Sequence, residues 1–211
     1  MNFIKHFKTI TIHKLIVMKY CFKVGLYKQG LLHDLSKYSL VEFIAGIKYY
    51  QGNVSPNGIQ KKVEGYSKAW LHHKGRNKHH FEYWIDYGQK LEDGFVGVEM
   101  PKKYVVEMFI DRMAASKNYE KEKYSDRSPL EYYNVGKDYY IINEKTRTLL
   151  EKLLVMLCEK GEKETLNYIK KKILNEKWHE KQKIVINCAK KYVIMWFSVV
   201  RFFKKSKIVT E

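Results

Sequence analysis

Residues 31–39 read Leu31-Leu32-His33-Asp34-Leu35-Ser36-Lys37-Tyr38-Ser39, an apolar run that ends on an adjacent His-Asp pair with a lysine three residues later. Adjacent His and Asp at a helix end can both reach one metal ion. The imidazole supplies a nitrogen, and the carboxylate has two oxygens and can bridge to a second metal. Lys37 lies four residues after His33 and three after Asp34, so a continuing helical turn projects it from the same side. A cation there can hold a phosphate oxygen or stabilise charge that develops in a transition state. Asp34 and Lys37 are therefore the candidate catalytic residues.

Outward from this stretch the chain reads as helices. Residues 3–24 form one, with Ile4, Phe7, Ile10, Thr11, Lys14, Leu15 and Met18 as an imperfect apolar stripe and His13 beside it. Gly25 allows a bend, and Leu26–Asp34 is a short helix ending at the pair. Ser39-Leu40-Val41-Glu42 has the pattern of a capping box, which predicts a helix from Leu40 to about Tyr50. Residues 51–58 read as loop. A helix over about 60–73 delivers His72-His73, and His79-His80 opens an aromatic segment, 81–87, expected to be helical. Residues 88–100 read as loop. Pro101 starts a helix that runs to about Tyr119 and carries Asp111. Ser128-Pro129-Leu130-Glu131 is a second capping-box pattern. Asn143 caps an amphipathic helix that ends at Lys160 before Gly161, and residues 162–178 form another. No period-2 strand of useful length and no repeat is found, so the fold class is all-α. One domain is expected over 1–180, with 181–211 as a separate tail.

The chain has 211 residues, 45% of them apolar, enough for a core, and a formal net charge of +17. Of the 40 basic residues 35 are Lys, which argues against a surface built for bidentate base or phosphate recognition, where Arg is favoured. Cys21, Cys158 and Cys188 are odd in number and lack CxxC spacing, so neither a disulfide framework nor a thiolate zinc site is expected. The amino-terminal residues lack the pattern of a signal peptide, so the expected location is cytoplasmic.

Residues 184–203 are mostly apolar, with Asn187, Lys190, Lys191, Ser198 and Arg201 gathered on one narrow helical face. The longest uncharged run, 192–200, falls far short of the ~20 residues that span a bilayer. This stretch reads as an extra basic amphipathic helix, packed on the core or on a second subunit. Its alternatives are a helix in a membrane interface, which would make the protein membrane-peripheral, and a partly disordered tail.

The chemistry is carried by histidines. Six of the eight, His13, His33, His72, His73, His79 and His80, fall between positions 13 and 80. Neutral imidazole with carboxylate suits Zn, Mn or Fe. With Asp34 and Asp111 they make a candidate set of eight metal ligands. Asp111 sits on an otherwise apolar helix face and needs a partner there. The competing readings are separately hydrogen-bonded histidines around aromatic packing, or an anion site of His and Lys without metal.

A histidine, a His-Asp pair about 20 residues on, a middle His pair and a distant Asp on a later helix together resemble the HD superfamily of metal-dependent phosphohydrolases. His33-Asp34-Leu35-Ser36-Lys37 is similar to the His-Asp-x-Gly-Lys signature of its cyclic-dinucleotide phosphodiesterase branch. Ile110-Asp111-Arg112-Met113-Ala114-Ala115, followed by Tyr119 and Ser128-Pro129, resembles that branch's segment around its last metal-binding Asp. The likeness covers about residues 8–135. The branch's Gly-Tyr-Pro element is absent, and Lys74 stands where an acidic residue follows its His pair. The chain as a whole, including residues 69–84, more closely resembles a family of uncharacterised bacterial proteins, some labelled catalase, although no haem-binding context is present.

The resemblance implies a compact helical HD-like domain in which His13, His33, Asp34 and Asp111 hold a principal metal. It also implies that the two middle His pairs hold a second, with Asp34 bridging. One or two divalent transition metals (Mn, Fe, Zn, Ni or Co) would activate a water to attack phosphorus. The substrate would be an anionic, phosphate-containing small molecule such as a nucleotide or another phosphate ester. Lys37 would hold the phosphate, joined by Lys74, Arg76 and Lys78, which sit among the histidines. The alternative for these last three is a solvated loop. The enzymatic alternative is a histidine-rich di-iron oxygenase of HD-like fold. The non-enzymatic one is a basic protein that binds nucleic acid or an anionic membrane, with salt-sensitive binding.

Overall fold

The computed structural model describes residues 2–174, which form eight helices and one small antiparallel hairpin. The helices are α1 (Asn2–Val24), α2 (Tyr27–Leu32), α3 (Leu40–Lys48), α4 (Pro56–Glu64), α5 (Lys68–Lys74), α6 (Lys102–Glu120), α7 (Ser128–Gly136) and α8 (Glu144–Tyr168). The hairpin pairs β1 (Ile85–Tyr87) with β2 (Phe95–Gly97), Ile85 opposite Gly97. The all-α expectation holds. The tail expected from residue 181 lies outside the described residues. No helix among the described residues is long and apolar enough to cross a membrane.

The centre of the fold is α6. Val105, Val106, Met108, Phe109, Ile110, Met113 and Ala114 are all buried, so the middle of this helix is enclosed on nearly every side. Around it pack Val17, Tyr20, Cys21 and Val24 of α1, Tyr133 of α7 and the Leu150, Leu153, Leu154 and Leu157 face of α8. Asn143 caps α8 by accepting from the Lys145 amide at 3.0 Å. Gly161, at φ 76° and ψ 173°, then breaks the helix. Only glycine adopts that conformation without strain, so α8 ends and restarts where the sequence placed the boundary.

Several local expectations fail for identifiable reasons. The helix expected over 60–73 is two helices, because Gly65 takes φ 80° and ends α4. Pro56 starts α4 inside the stretch that read as loop, its fixed φ suiting the first turn. The aromatic segment 81–87 is a single 3-10 turn (Phe81–Trp84) running into β1, so the helical expectation for it is corrected. The hairpin is only three residues per strand, too short to leave a period-2 signal. The buried stripe of α1 is His6, Ile10, His13, Val17, Tyr20, Cys21 and Val24 rather than the one read from the sequence. Ile4, Phe7 and Leu15 of the expected stripe are exposed. Two histidines occupy core positions there, and counting only hydrophobic residues misses them.

Neither capping box forms. Ser39 precedes α3 but makes no side-chain cap, and Glu42 turns instead to two histidines. Ser128 Oγ donates to Glu120 at 2.6 Å rather than capping α7.

Candidate metal centre

Helix α2 ends at Leu32. His33 is extended (φ −51°, ψ 127°), and Asp34 is left-handed (φ 53°, ψ 25°). On a continuous helix, neighbouring side chains point about 100° apart. Here the broken backbone turns both inward, and both are buried. A non-glycine residue at positive φ is uncommon, and aspartate tolerates it better than most. Lys14 Nζ donates to the carbonyls of Leu31 and His33 at 2.8 Å each, which fixes the turn. A 3-10 turn over Leu35–Tyr38 follows, in which i and i+3 eclipse. Lys37 Nζ thereby lies 2.6 Å from Asp34 Oδ2.

Other elements bring imidazoles to the same point. His13 lies on the buried stripe of α1 and Asp111 on α6, with 2.9 Å between Nε2 and Oδ1. His33 Nε2 is 3.3 Å from Asp34 Oδ2 and 3.4 Å from Asp111 Oδ1. From α5, His73 places Nε2 3.3 Å from Asp34 Oδ1, and His79 Nε2 is 3.5 Å from the same oxygen. His80 packs with its ring centre 4.1 Å from that of His79, tilted to it, and 4.7 Å from that of Trp70, edge to face.

These side chains form two four-residue groups that share Asp34. One is His13, His33, Asp34 and Asp111, and the other is Asp34, His73, His79 and His80. Within each group the donor atoms lie within 4.8 Å of one another. Donors about 2.0–2.2 Å from a metal fit such a spacing after slight contraction. The hydrogen bonding points the same way. His33 Nε2, Asp34 Oδ1, His79 Nε2 and His80 Nε2 are buried without a hydrogen-bond partner, and Asp34 Oδ2 has Lys37 close by but no well-directed bond. Leaving a buried polar atom unpaired costs about 1–3 kcal/mol each. A cation between these atoms satisfies them together, so the residues fit a bound metal ion.

Two carboxylates that the sequence reading missed hold the imidazoles in place. Glu107 Oε1 lies 3.0 Å from His33 Nδ1 and 3.3 Å from His79 Nδ1. It stands one turn before Asp111 on α6, so both acids share a face. Glu42 Oε2 lies 2.7 Å from His73 Nδ1, and its Oε1 lies 2.6 Å from His72 Nδ1. Each carboxylate favours a proton on Nδ1 and so directs Nε2 toward Asp34. Asn77 supports the same region, its Nδ2 donating to Ser36 Oγ and to the His73 carbonyl at 2.8 Å each. An acid pair at i and i+4 in an apolar helix was the one available signal for Glu107. Glu42 was hidden by its resemblance to a cap.

The field in the cluster is set by these contacts. Burial would lower the His33 pKa, but Asp34, Asp111 and Glu107 override it and hold it well above the ordinary histidine value. Burial would raise the Asp34 carboxyl, yet His33, Lys37 and His73 hold it well below the carboxylate range. Burial works against Glu107 as well, and His33 and His79 bring it down to about 2. His80 is pushed well below its usual value by burial and by the neighbouring imidazoles of His79 and His73, which keeps it neutral and able to ligate.

Of the eight expected ligands, seven fall in the two groups. His72 does not, and points its Nδ1 at Glu42 instead. Of the four expected substrate cations, only Lys37 meets the cluster. Arg76 Nη1 donates to the His72 carbonyl at 3.3 Å, Lys78 Nζ lies 5.5 Å from the Tyr83 ring centre, and Lys74 is one of the cations acting on Glu82. Among the described residues, none of these three pairs with a cluster carboxylate.

Comparison with known families bears on this arrangement. A family of unknown function, DUF5662, matches residues 2–156. The chain belongs to that family. The matched DUF5662 region contains all seven clustered candidate ligands, both supporting carboxylates and Lys37. No curated protein and no solved structure matches the chain.

Proposed function

We propose that this protein is a metal-dependent phosphohydrolase, a divergent relative of the HD superfamily, acting on a nucleotide or another phosphate ester. The observation that carries the reading is the pair of ligand groups joined at Asp34, with the Lys37 ammonium 2.6 Å from that carboxylate. One group of His13, His33, Asp34 and Asp111 would hold the first cation, and His73, His79 and His80 with Asp34 would hold the second. A divalent cation bound there supplies Lewis acidity and lowers the pKa of a coordinated water toward neutrality. Mn, Fe, Zn, Ni and Co all suit imidazole with carboxylate.

The protein's own side chains do the rest. Lys37 offers a fixed positive charge to a phosphate oxygen, its ammonium 2.6 Å from the shared Asp34 carboxylate. Glu107 and Glu42 keep the imidazoles in one tautomer, which limits reorganisation during turnover. The enclosing core excludes water behind the ligands, strengthening each electrostatic contact. A histidine-rich site sharing one carboxylate also suits two irons that activate oxygen. Lys37 favours hydrolysis, because a fixed cation on the shared carboxylate matches an anionic substrate. The expected location is cytoplasmic.

The test is metal analysis of protein purified without an affinity metal, beside Asp34→Ala, followed by hydrolysis assays on nucleotides and simple phosphate esters. One or two transition metals per chain, lost in the variant, with phosphate release by the wild type, is the expected result. Full metal content in Asp34→Ala would overturn the ligand assignment. Metal-dependent oxygen uptake without phosphate release would move the reading to the oxygenase.

A further inference from the structure

The surface contributed by residues 2–50 carries positive charge alone. This stretch holds eight lysines (5, 8, 14, 19, 23, 28, 37 and 48) and two acids, Asp34 and Glu42, both of which are buried. The same surface exposes large apolar side chains. Phe3 is 56% exposed, Phe7 46%, Leu35 48%, Leu40 76% and Ile44 59%.

These apolar residues are joined. The Phe43 ring of α3 lies 5.1 Å from that of Phe3 and 6.5 Å from that of Phe7, and the Phe7 ring lies 6.0 Å from that of Tyr38. Leu35 eclipses Tyr38 in the 3-10 turn. Leu40 and Ile44 are one turn apart on α3, flanking Phe43. The result is an apolar patch along α1, the 3-10 turn and α3, with Lys5 and Lys8 exposed on the same amino-terminal turns of α1. Contiguous exposed apolar surface of this kind marks an interaction site.

We propose that this face docks on an anionic lipid bilayer. The charge decides the partner. Residues 2–50 add lysines and no exposed carboxylate. Although Lys48 is paired with Glu64 and Lys23 with Glu162, Lys5 and Lys8 beside the patch complement acidic headgroups, while the phenylalanine and aliphatic side chains enter the boundary between headgroup and acyl chain. Nucleic acid would use the lysines through its phosphates but gain nothing from Leu40 or Ile44. A second copy of the chain would present the same positive charge to itself. The inference does not depend on the reaction proposed above. It does place Lys37 immediately beside the docked surface, since Tyr38 belongs to the patch.

The experiment is co-sedimentation of the full-length chain with vesicles of phosphatidylcholine alone or with roughly 30% phosphatidylserine, at about 0.1 M and about 0.5 M salt. The expected result is binding to the anionic vesicles only, weakened by high salt. The double variant Leu40→Ser/Ile44→Ser should bind roughly tenfold more weakly or worse. The double variant Lys5→Glu/Lys8→Glu should lose at least roughly 25-fold, about fivefold for each lysine charge removed, with repulsion from the two new carboxylates adding to it. All four side chains are exposed, so the fold survives, and circular dichroism of each variant verifies it. Absence of binding to anionic vesicles would overturn the proposal. So would equal binding by both variants, which would move the lipid contact into residues 175–211. A concentration-dependent dimer that Leu40→Ser/Ile44→Ser abolishes, without lipid binding, would assign the face to self-association.

Discussion

Glu107 Oε1 lies 3.0 Å from Nδ1 of His33, an almost fully enclosed contact between residues 74 positions apart. The same oxygen faces His79, which belongs to the other ligand group. Glu107 thus ties the two groups together from behind, as Asp34 does from the front.

Glu107→Gln should weaken metal binding in both groups, because the amide offers a poorer partner to both imidazoles. A loss of about 10–100-fold in affinity is expected, read by competition with a chelator. Glu42→Gln should weaken only the group that contains His73. Equal affinity in Glu107→Gln and wild type would show that the contact does not orient the ligands.

Removing metal should destabilise the fold around α6. A cation held at about a thousand times its dissociation constant contributes about 4 kcal/mol. For a chain of this size that is a fall of roughly 8–16 °C in melting temperature on chelation. In Asp34→Ala, chelator should leave the melting temperature unchanged, because neither group is then complete. Differential scanning calorimetry with and without chelator measures both.

Lys37→Met should retain the metals, since no ligand is lost, while phosphate-ester hydrolysis falls roughly 100-fold or more in kcat/KM. Elemental analysis of the same sample separates this from a binding defect. Undiminished turnover would remove Lys37 from the mechanism.

A pH effect should arise away from the cluster. His6 is packed against Phe43 and Tyr50 and over Gly46, where any Cβ would collide with the imidazole. Burial, aided by the charge of Lys37, pushes its pKa down to about 4. The folded value lies below the unfolded one near 6.5, so the neutral ring's contribution is complete above about pH 6.5 and is lost as pH falls toward 4. The shift corresponds to about 3 kcal/mol across that window. His80, also lowered, acts in the same direction. His33 and His73 are raised, so their contribution stays complete throughout this window and is lost only at higher pH. Urea unfolding of the metal-free protein at several pH values should therefore fall more steeply from pH 6.5 to 4 in the wild type than in His6→Leu. Parallel slopes would contradict the role given to His6.

Much of the site could be read from the chain because its ligands come in short local patterns. His33-Asp34 and Lys37 lie within one turn of backbone, and His73, His79 and His80 within eight residues. The two carboxylates were not readable. Glu42 meets histidines 30 and 31 positions away, and Glu107 meets His33 across 74. No local periodicity encodes such a pairing. The choice between His72 and His73 also depended on how α5 sits against α3. Adjacent residues on a helix face different ways, and only the packing says which one turns inward.

The sequence alone determined the helical class, the break at Gly161 and the set from which the ligands come. Those follow from residue type, from 3.6-residue spacing and from glycine's freedom in backbone conformation, all local properties. The tertiary structure decided that Asp34 adopts a left-handed conformation and joins two ligand groups, and that Glu42 and Glu107 orient the imidazoles. It also decided that Phe3, Phe7, Leu40 and Ile44 remain at the surface. Burial is a property of the packed chain rather than of the residue. A buried polar atom must find a partner wherever the fold provides one, and the sequence carries no record of that distance.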